Sequence, residues 1–304
     1  GLSWSNAFNY LQPALSAAQS GDVIWVANGT YTPTTGTSRT ATFNLKSGIT
    51  IYGGFSGNET SLDQRDWVAN QSILSGEIGT TSATDNSDHV LKASSVSNVR
   101  LDGFIIEKGY ATVSRYGGAF YCHSSTNVVV ENCVIRNNTA SYHGGAIYNY
   151  NSSLQVINSV FHDNRTISYD GGGYFSQGSA TKSIIGCLFF NNHSGRSGGG
   201  IEFFSGSNSE VINSTFHGNS TSQYAASIAS WGSNVNIRNS IVSGAPTQSS
   251  NLGRPGGGSM YVYYSIVENG TYTSGSNVLN TDPLYEDVSA NNFRLTGSSP
   301  ALDY

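Results

Sequence analysis

Apolar residues along this chain recur in short alternating runs, not in long helical stripes. Leu154-Gln155-Val156-Ile157-Asn158-Ser159-Val160-Phe161 is one such run, and Gly, Asn and Ser punctuate the chain on either side of it. Alternation sends every second side chain to one face, which predicts strands. The runs come back at a fixed interval. Gly117-Gly118-Ala119-Phe120, Gly144-Gly145-Ala146-Ile147, Gly171-Gly172-Gly173-Tyr174, Gly198-Gly199-Gly200-Ile201 and the degenerate Ala225-Ala226-Ser227-Ile228 start 27 residues apart. A second motif keeps step: Ile135-Arg136-Asn137-Asn138, Phe161-His162-Asp163-Asn164, Phe189-Phe190-Asn191-Asn192 and Phe216-His217-Gly218-Asn219 are spaced by 26, 28 and 27 residues, so one-residue slips cancel.

Nothing between these runs is long and periodic enough for a crossover helix, so the coil itself must join parallel strands. The pattern predicts an all-β chain, a single-stranded right-handed parallel β-helix with turns of about 27 residues. Paired glycines predict a tight corner or a close backbone approach. The Asn that ends the second motif suits an inward ladder or a left-handed corner. Asp22-Val23-Ile24-Trp25-Val26, Ile49-Thr50-Ile51-Tyr52 and Val99-Arg100-Leu101-Asp102 read as earlier, less regular turns, whereas Ala7-Phe8-Asn9-Tyr10-Leu11 through Ala14, Leu15 and Ala18 have helical spacing and read as a cap on the open end. One domain, 1–304, is expected, with a cap over 1–20, irregular turns over 21–116, regular repeats over 117–245 and irregular turns over 246–304.

Composition narrows the function. Charged residues are 11% of the chain, against an average of about 25%. Gly (36) and Tyr (18) are abundant, so the surface must be built from Asn, Ser, Thr and Tyr. A net charge of −5 with 14 Lys and Arg offers no footprint for a phosphate backbone, which argues against nucleic acid. No apolar run approaches the ~20 residues of a membrane span. The chain opens at Gly1 without a charged leader, so a secreted or cell-surface protein, its export signal removed, is expected. Cys122, Cys133 and Cys187 leave an odd thiol; the last two sit two turns apart, ~9–10 Å at strand spacing, beyond disulfide reach, and read as core fillers.

If Phe120, Ile147, Ile201 and Ile228 point inward, the third, fifth and seventh positions of each repeat point out. The fifth are Tyr121, Tyr148, Phe175, Glu202 and Ala229; the seventh are His123, Tyr150, Gln177, Phe204 and Trp231. The third, Ala119, Ala146, Gly173, Gly200 and Ser227, are all small and are expected to floor a shallow channel. Arg115-Tyr116, Tyr142-His143, Tyr169-Asp170, Arg196-Ser197 and Gln223-Tyr224 border its far side. Turns stacked at ~4.8 Å nearly match the rise per sugar of an extended β-1,4 glycan, and aromatic rings bury sugar C–H surface. The expected ligand contacts are Tyr121, Tyr142, Tyr148, Tyr150, Tyr169, Phe175, Glu202, Phe204 and Trp231.

Catalysis on this face would fall to His143, Asp170, Arg196 and Glu202. Glycoside hydrolysis wants two carboxylates ~5–9.5 Å apart. Asp170 and Glu202 lie in adjacent repeats, five strand positions out of register, and are expected to be farther apart than that. A lyase would need a Tyr or His base and a group that neutralises a uronate. No metal or cofactor motif is present in the sequence. His162 and His217 read as solvated rungs, and Asp282, Glu286 and Asp287 as part of a terminal loop.

With these residues laid out, the chain resembles the pectin-lyase-like right-handed β-helix proteins secreted by Bacteroidetes and related bacteria. The resemblance runs through Ser20-Gly21-Asp22-Val23-Ile24-Trp25-Val26-Ala27-Asn28-Gly29-Thr30-Tyr31, Ile51-Tyr52-Gly53-Gly54-Phe55, Asp63-Gln64-Arg65-Asp66-Trp67, Asn280-Thr281-Asp282-Pro283-Leu284 and Ser299-Pro300-Ala301-Leu302-Asp303. The repeat also looks like that of chlamydial polymorphic outer membrane proteins, which are adhesins. A narrower resemblance is to β-helical carbohydrate-binding modules of gut bacterial xylanases. It implies a monomeric, non-catalytic module that binds xylan or a related plant cell-wall polysaccharide and is attached to a catalytic domain in a larger secreted protein. A polysaccharide lyase or glycoside hydrolase acting on the same face is the first alternative, and a cell-surface adhesin the second.

Overall fold

The computed structural model describes residues 1–206, 208–246 and 249–302. The chain winds into a right-handed parallel β-solenoid of about nine turns. A central turn carries four strands at fixed places, such as Phe120–His123, Thr126–Glu131, Val134–Arg136 and Thr139–Ala140. Each pairs in parallel with its counterpart one turn on; Phe120, Ile147, Tyr174, Ile201 and Ile228 follow one another in strict register. The Phe120–His123 series forms an eight-stranded first wall, the next two series join in one large sheet, and the Thr139–Ala140 series makes a narrow wall of five. Only the hairpin of Tyr285–Asp287 and Asn292–Leu295 is antiparallel among the described residues.

Asn and Gly are abundant because each corner needs a left-handed residue. Asn132, Asn158, Asn213 and Asn239 hold one corner at φ 47–51°, with Gly186 (φ 64°) at the same place in the intervening turn. Asn tolerates this region better than other side chains and Gly is free in it. At the glycine pair, Gly117, Gly144, Gly171 and Gly198 are left-handed (φ 62–68°). The second glycine answers a different demand. A Cβ on Gly172 would lie 2.4 Å from both the Gly199 and His193 carbonyl oxygens.

The core is one column of stacked side chains. Phe161, Phe189 and Phe216 stack at 4.4 and 4.9 Å, beside a buried amide ladder in which Asn138 donates to Asn164, Asn164 to Asn192 and Asn192 to Asn219, each at 3.0 Å. The cysteines are core fillers, as the sequence suggested: all three are buried and unpaired, and burial pushes their thiols up to about 12.

The terminal segments pack on this column. Helix α1, Leu11–Ala17, buries Leu11 and Leu15 against the first turn. It is shorter than the apolar spacing suggested, with Phe8 and Tyr10 exposed, because the Pro13 ring excludes a helical carbonyl at Asn9. Arg65 pairs with Asp102 at 2.7 Å between the rings of Tyr52 and Trp67, each 4.7 Å away, which ties the Asp63–Trp67 segment to the wall.

His162 and His217 depart from the solvated rungs the sequence suggested. His162 stacks on Phe190 at 4.8 Å, and Phe293 and Tyr285 of the C-terminal hairpin close over His217 at 5.3 and 5.4 Å. The hairpin folds back on a wall some 75 residues earlier in the chain, a contact that local pattern does not encode. Asp282, Glu286 and Asp287 are exposed in the terminal segment, as expected. Asp303, the last residue of one motif above, lies outside the described residues.

Candidate functional site

The first wall follows the expected parity within its strands. Phe120, Ile147, Tyr174, Ile201 and Ile228 join the core, while the fifth and seventh positions turn outward. The third positions do not. Ala119, Ala146, Gly173, Gly200 and Ser227 are buried, and a Cβ on Gly173 or Gly200 would meet the core ring of Phe189 or Phe216 at 3.1 Å. Alternation begins only at the fourth position, where the strand starts; the third still belongs to the glycine corner and faces inward with it. The small-residue channel floor expected from the sequence is therefore absent.

What lies outward is a ladder of rings. Tyr121 and Tyr148 stack at 5.6 Å, and Tyr148 and Phe175 at 5.6 Å with planes only 5° apart. The preceding corner folds over them, placing Tyr116 on Tyr148 at 4.7 Å and His143 on Phe175 at 4.3 Å. Tyr148 is left 8% exposed and Phe175 1%. The seventh positions stay half-buried: His123 stacks on Tyr150 at 5.0 Å, and Phe204 on Trp231 at 6.1 Å. Along the corner, Arg115 lies over Tyr142 (4.9 Å), Tyr142 on Tyr169 (4.7 Å), and Arg196 over both Tyr169 (5.1 Å) and Trp231 (5.2 Å).

A charged cluster is set into the middle of the ladder. The Asp170 carboxylate is wholly buried and accepts from Arg196 Nε at 2.7 Å and from a second guanidinium nitrogen, with His143 Nδ1 at 3.4 Å. Burial alone would raise Asp170, but His143 and Arg196 outweigh it and hold the carboxyl below its usual range. Glu202 follows Phe175 in register, on the next turn, and is also wholly buried. Burial, with the nearby Asp170 charge, pushes it up to about 8, against a hydrogen bond from Ser197 Oγ at 2.6 Å and the Arg196 charge. Among the described residues its Oε1 has no hydrogen-bond partner. The two carboxyls thus both feel the Arg196 charge, and their surroundings shift them in opposite directions, Asp170 down and Glu202 up.

All nine expected contact residues fall on this face, but Tyr148, Phe175 and Glu202 lie beneath their neighbours. The sequence reading placed Tyr116 and Ser197 on the border of the face without counting them as contacts, and it passed over Lys92, which lies over Tyr121 at 5.9 Å. Lys92 is legible only through register, since it stands one turn before Tyr121 across an irregular loop. Among the described residues, no group of three or more His, Cys, Asp and Glu is placed to hold a metal. None of their helices is long and apolar enough to cross a membrane.

A family model described as a right handed beta helix region matches residues 18–278. No curated protein sequence matches the chain. Among solved structures it is similar to a pectate lyase, Pel9A, at 15% identity over 99% of this chain and 86% of that one, with a TM-score of 0.57. It is also similar to a rhamnogalacturonan lyase at 14% identity over 92% of this chain and 71% of that one, with a TM-score of 0.52. Likeness at this level of identity is a likeness of fold.

Proposed function

The chain belongs to the right-handed β-helix family, and from that premise we propose that it is a non-catalytic carbohydrate-binding module that holds a plant cell-wall polysaccharide, a xylan or related β-1,4 glycan, along its first wall. The observation that carries this reading is the ladder itself. Aromatic and polar side chains continue from Tyr121 to Trp231, one set per turn, on a rigid parallel sheet whose ~4.8 Å repeat approaches that of an extended sugar chain. Half-exposed rings bordered by hydrogen-bonding groups suit a ligand that is apolar on its faces and hydroxylated on its edges. Kinship of fold with a pectate lyase and a rhamnogalacturonan lyase supports a polysaccharide ligand. The burial of both carboxylates supports binding over turnover, since neither Asp170 nor Glu202 meets solvent. On this reading the module is secreted, acts as a monomer, and is attached to a catalytic domain of a larger protein.

A lyase or glycoside hydrolase is the second reading. The opposite directions in which Asp170 and Glu202 are shifted favour it, because paired carboxyls with separated pKa values divide acid and base roles. Affinity electrophoresis in gels containing xylan, pectin, alginate or a soluble cellulose derivative, with parallel assays for reducing ends and unsaturated products, separates the two. Retardation by xylan without products is expected. Products would transfer the argument to His143, Asp170, Arg196 and Glu202. Neither retardation nor products would leave the cell-surface adhesin reading standing.

A further inference from the structure

Ring stacking is the usual account of an aromatic glycan face, but here the ring faces are already occupied. Tyr142 lies between the guanidinium of Arg115 and the ring of Tyr169, and Tyr169 between Tyr142 and the guanidinium of Arg196. Tyr148 has Tyr121 on one side, Phe175 on the other and Tyr116 against it. These planes face along the solenoid axis, so their edges point away from the wall, and the edge of a tyrosine ends in a hydroxyl.

The hydroxyls of Tyr116, Tyr121, Tyr142, Tyr148, Tyr150 and Tyr169 are not among the buried polar atoms left without partners. None of them bonds to another described residue. Tyr174, on the inner side of the same wall, instead takes a hydrogen bond from Asn149 Nδ2 at 2.7 Å. Packing of the fifth- and seventh-position rows, which hold Tyr121, Tyr148 and Tyr150, does not require these oxygens, because Phe175 and Phe204 stand in the same rows.

Building on the glycan-binding reading, we propose that the ligand is gripped edge-on, by a comb of tyrosine hydroxyls, and not by stacking on ring faces. The comb covers the three turns from Tyr116 to Tyr169 and gives way to the apolar rungs Phe204 and Trp231. A phenol hydroxyl both donates and accepts, so the comb fits the hydroxyl-bearing edge of a flat, neutral polysaccharide ribbon about three sugars long. Acetylation of those sugar hydroxyls removes the donors it reads.

The test compares wild type with Tyr142→Phe, Tyr150→Phe and Tyr169→Phe, singly and combined, in gels containing xylan or acetylated xylan, with thermal melts alongside. Tyr-to-Phe keeps every ring of the ladder and removes only the oxygen. At about 1 kcal/mol per hydrogen bond, each single change is expected to weaken retention about fivefold and the triple change well over tenfold, with the melting temperature unmoved. Acetylated xylan is expected to escape wild type. If the triple variant holds xylan as tightly as wild type, edge-on recognition is overturned and face stacking stands. If wild type holds none of the polymers, the glycan reading falls and this inference with it.

Discussion

At the scale of the single residue, Glu202 is the most consequential position on the first wall. Its neighbours in register are Phe175 and Ala229, so its carboxyl has no water to ionise into. Its pKa rises from an ordinary 4.5 to about 8. An unfolded chain releases this proton near the ordinary value while the folded one keeps it, so the folded state binds more protons in between. The stabilising contribution is complete below pH 4.5 and is lost progressively as the pH climbs to about 8. Melting temperature followed across this interval is expected to fall in wild type and to be flatter in Glu202→Gln, which retains the shape of the side chain without the proton. Parallel slopes in the two proteins would mean that another group sets the pH dependence. The raised pKa could not be read from the sequence, which shows one acid among tyrosines; it comes from burial beside Phe175 and from the Asp170 charge, against the opposing hydrogen bond from Ser197.

At the scale of the element, the regular strands and their corners carry most of what is legible in the sequence. Period-two alternation located the strands, and the recurring Asn of the second motif became the inward amide ladder. Asn164 is central to it. Its side chain accepts from the Asn138 backbone and side-chain nitrogens and donates to Asn192 and the Ile135 carbonyl. Asn164→Ala strands several of these groups inside the core at about 1–3 kcal/mol for an unsatisfied one, and a loss of about 3 kcal/mol is expected in chemical denaturation. Asn137→Ala, at the exposed neighbouring corner, is the contrast. It costs only the left-handed preference of Asn, about 1 kcal/mol. The channel floor illustrates the opposite case. Alternation was extended one residue back from the start of the strand, into the glycine corner, where the third position faces inward with the corner.

At the scale of the whole molecule, the solenoid is nearly one-dimensional, each turn resting on its two neighbours. The outermost turns have one neighbour and a cap, so they open first. Hydrogen exchange is expected to be slowest in the strands between residues 117 and 245 and faster in Val23–Ala27 and Ser274–Leu279. Uniform protection from end to end would show that the chain unfolds as a single unit.

What the sequence determined by itself was periodic: the parallel solenoid, the 27-residue turn, the strand parity, the inward asparagines and the rows in which the tyrosines stand. These follow from local alternation and from a repeat that stacks like on like. Only the tertiary structure decided which outward rings stay accessible, because that depends on corners folding over strands of the next turn, as Tyr116 does over Tyr148 and His143 over Phe175. It alone closed the C-terminal hairpin over His217 and joined Asp170, Arg196 and Glu202. Burial and charge proximity depend on distances between turns and segments far apart in the chain, and no local pattern records them.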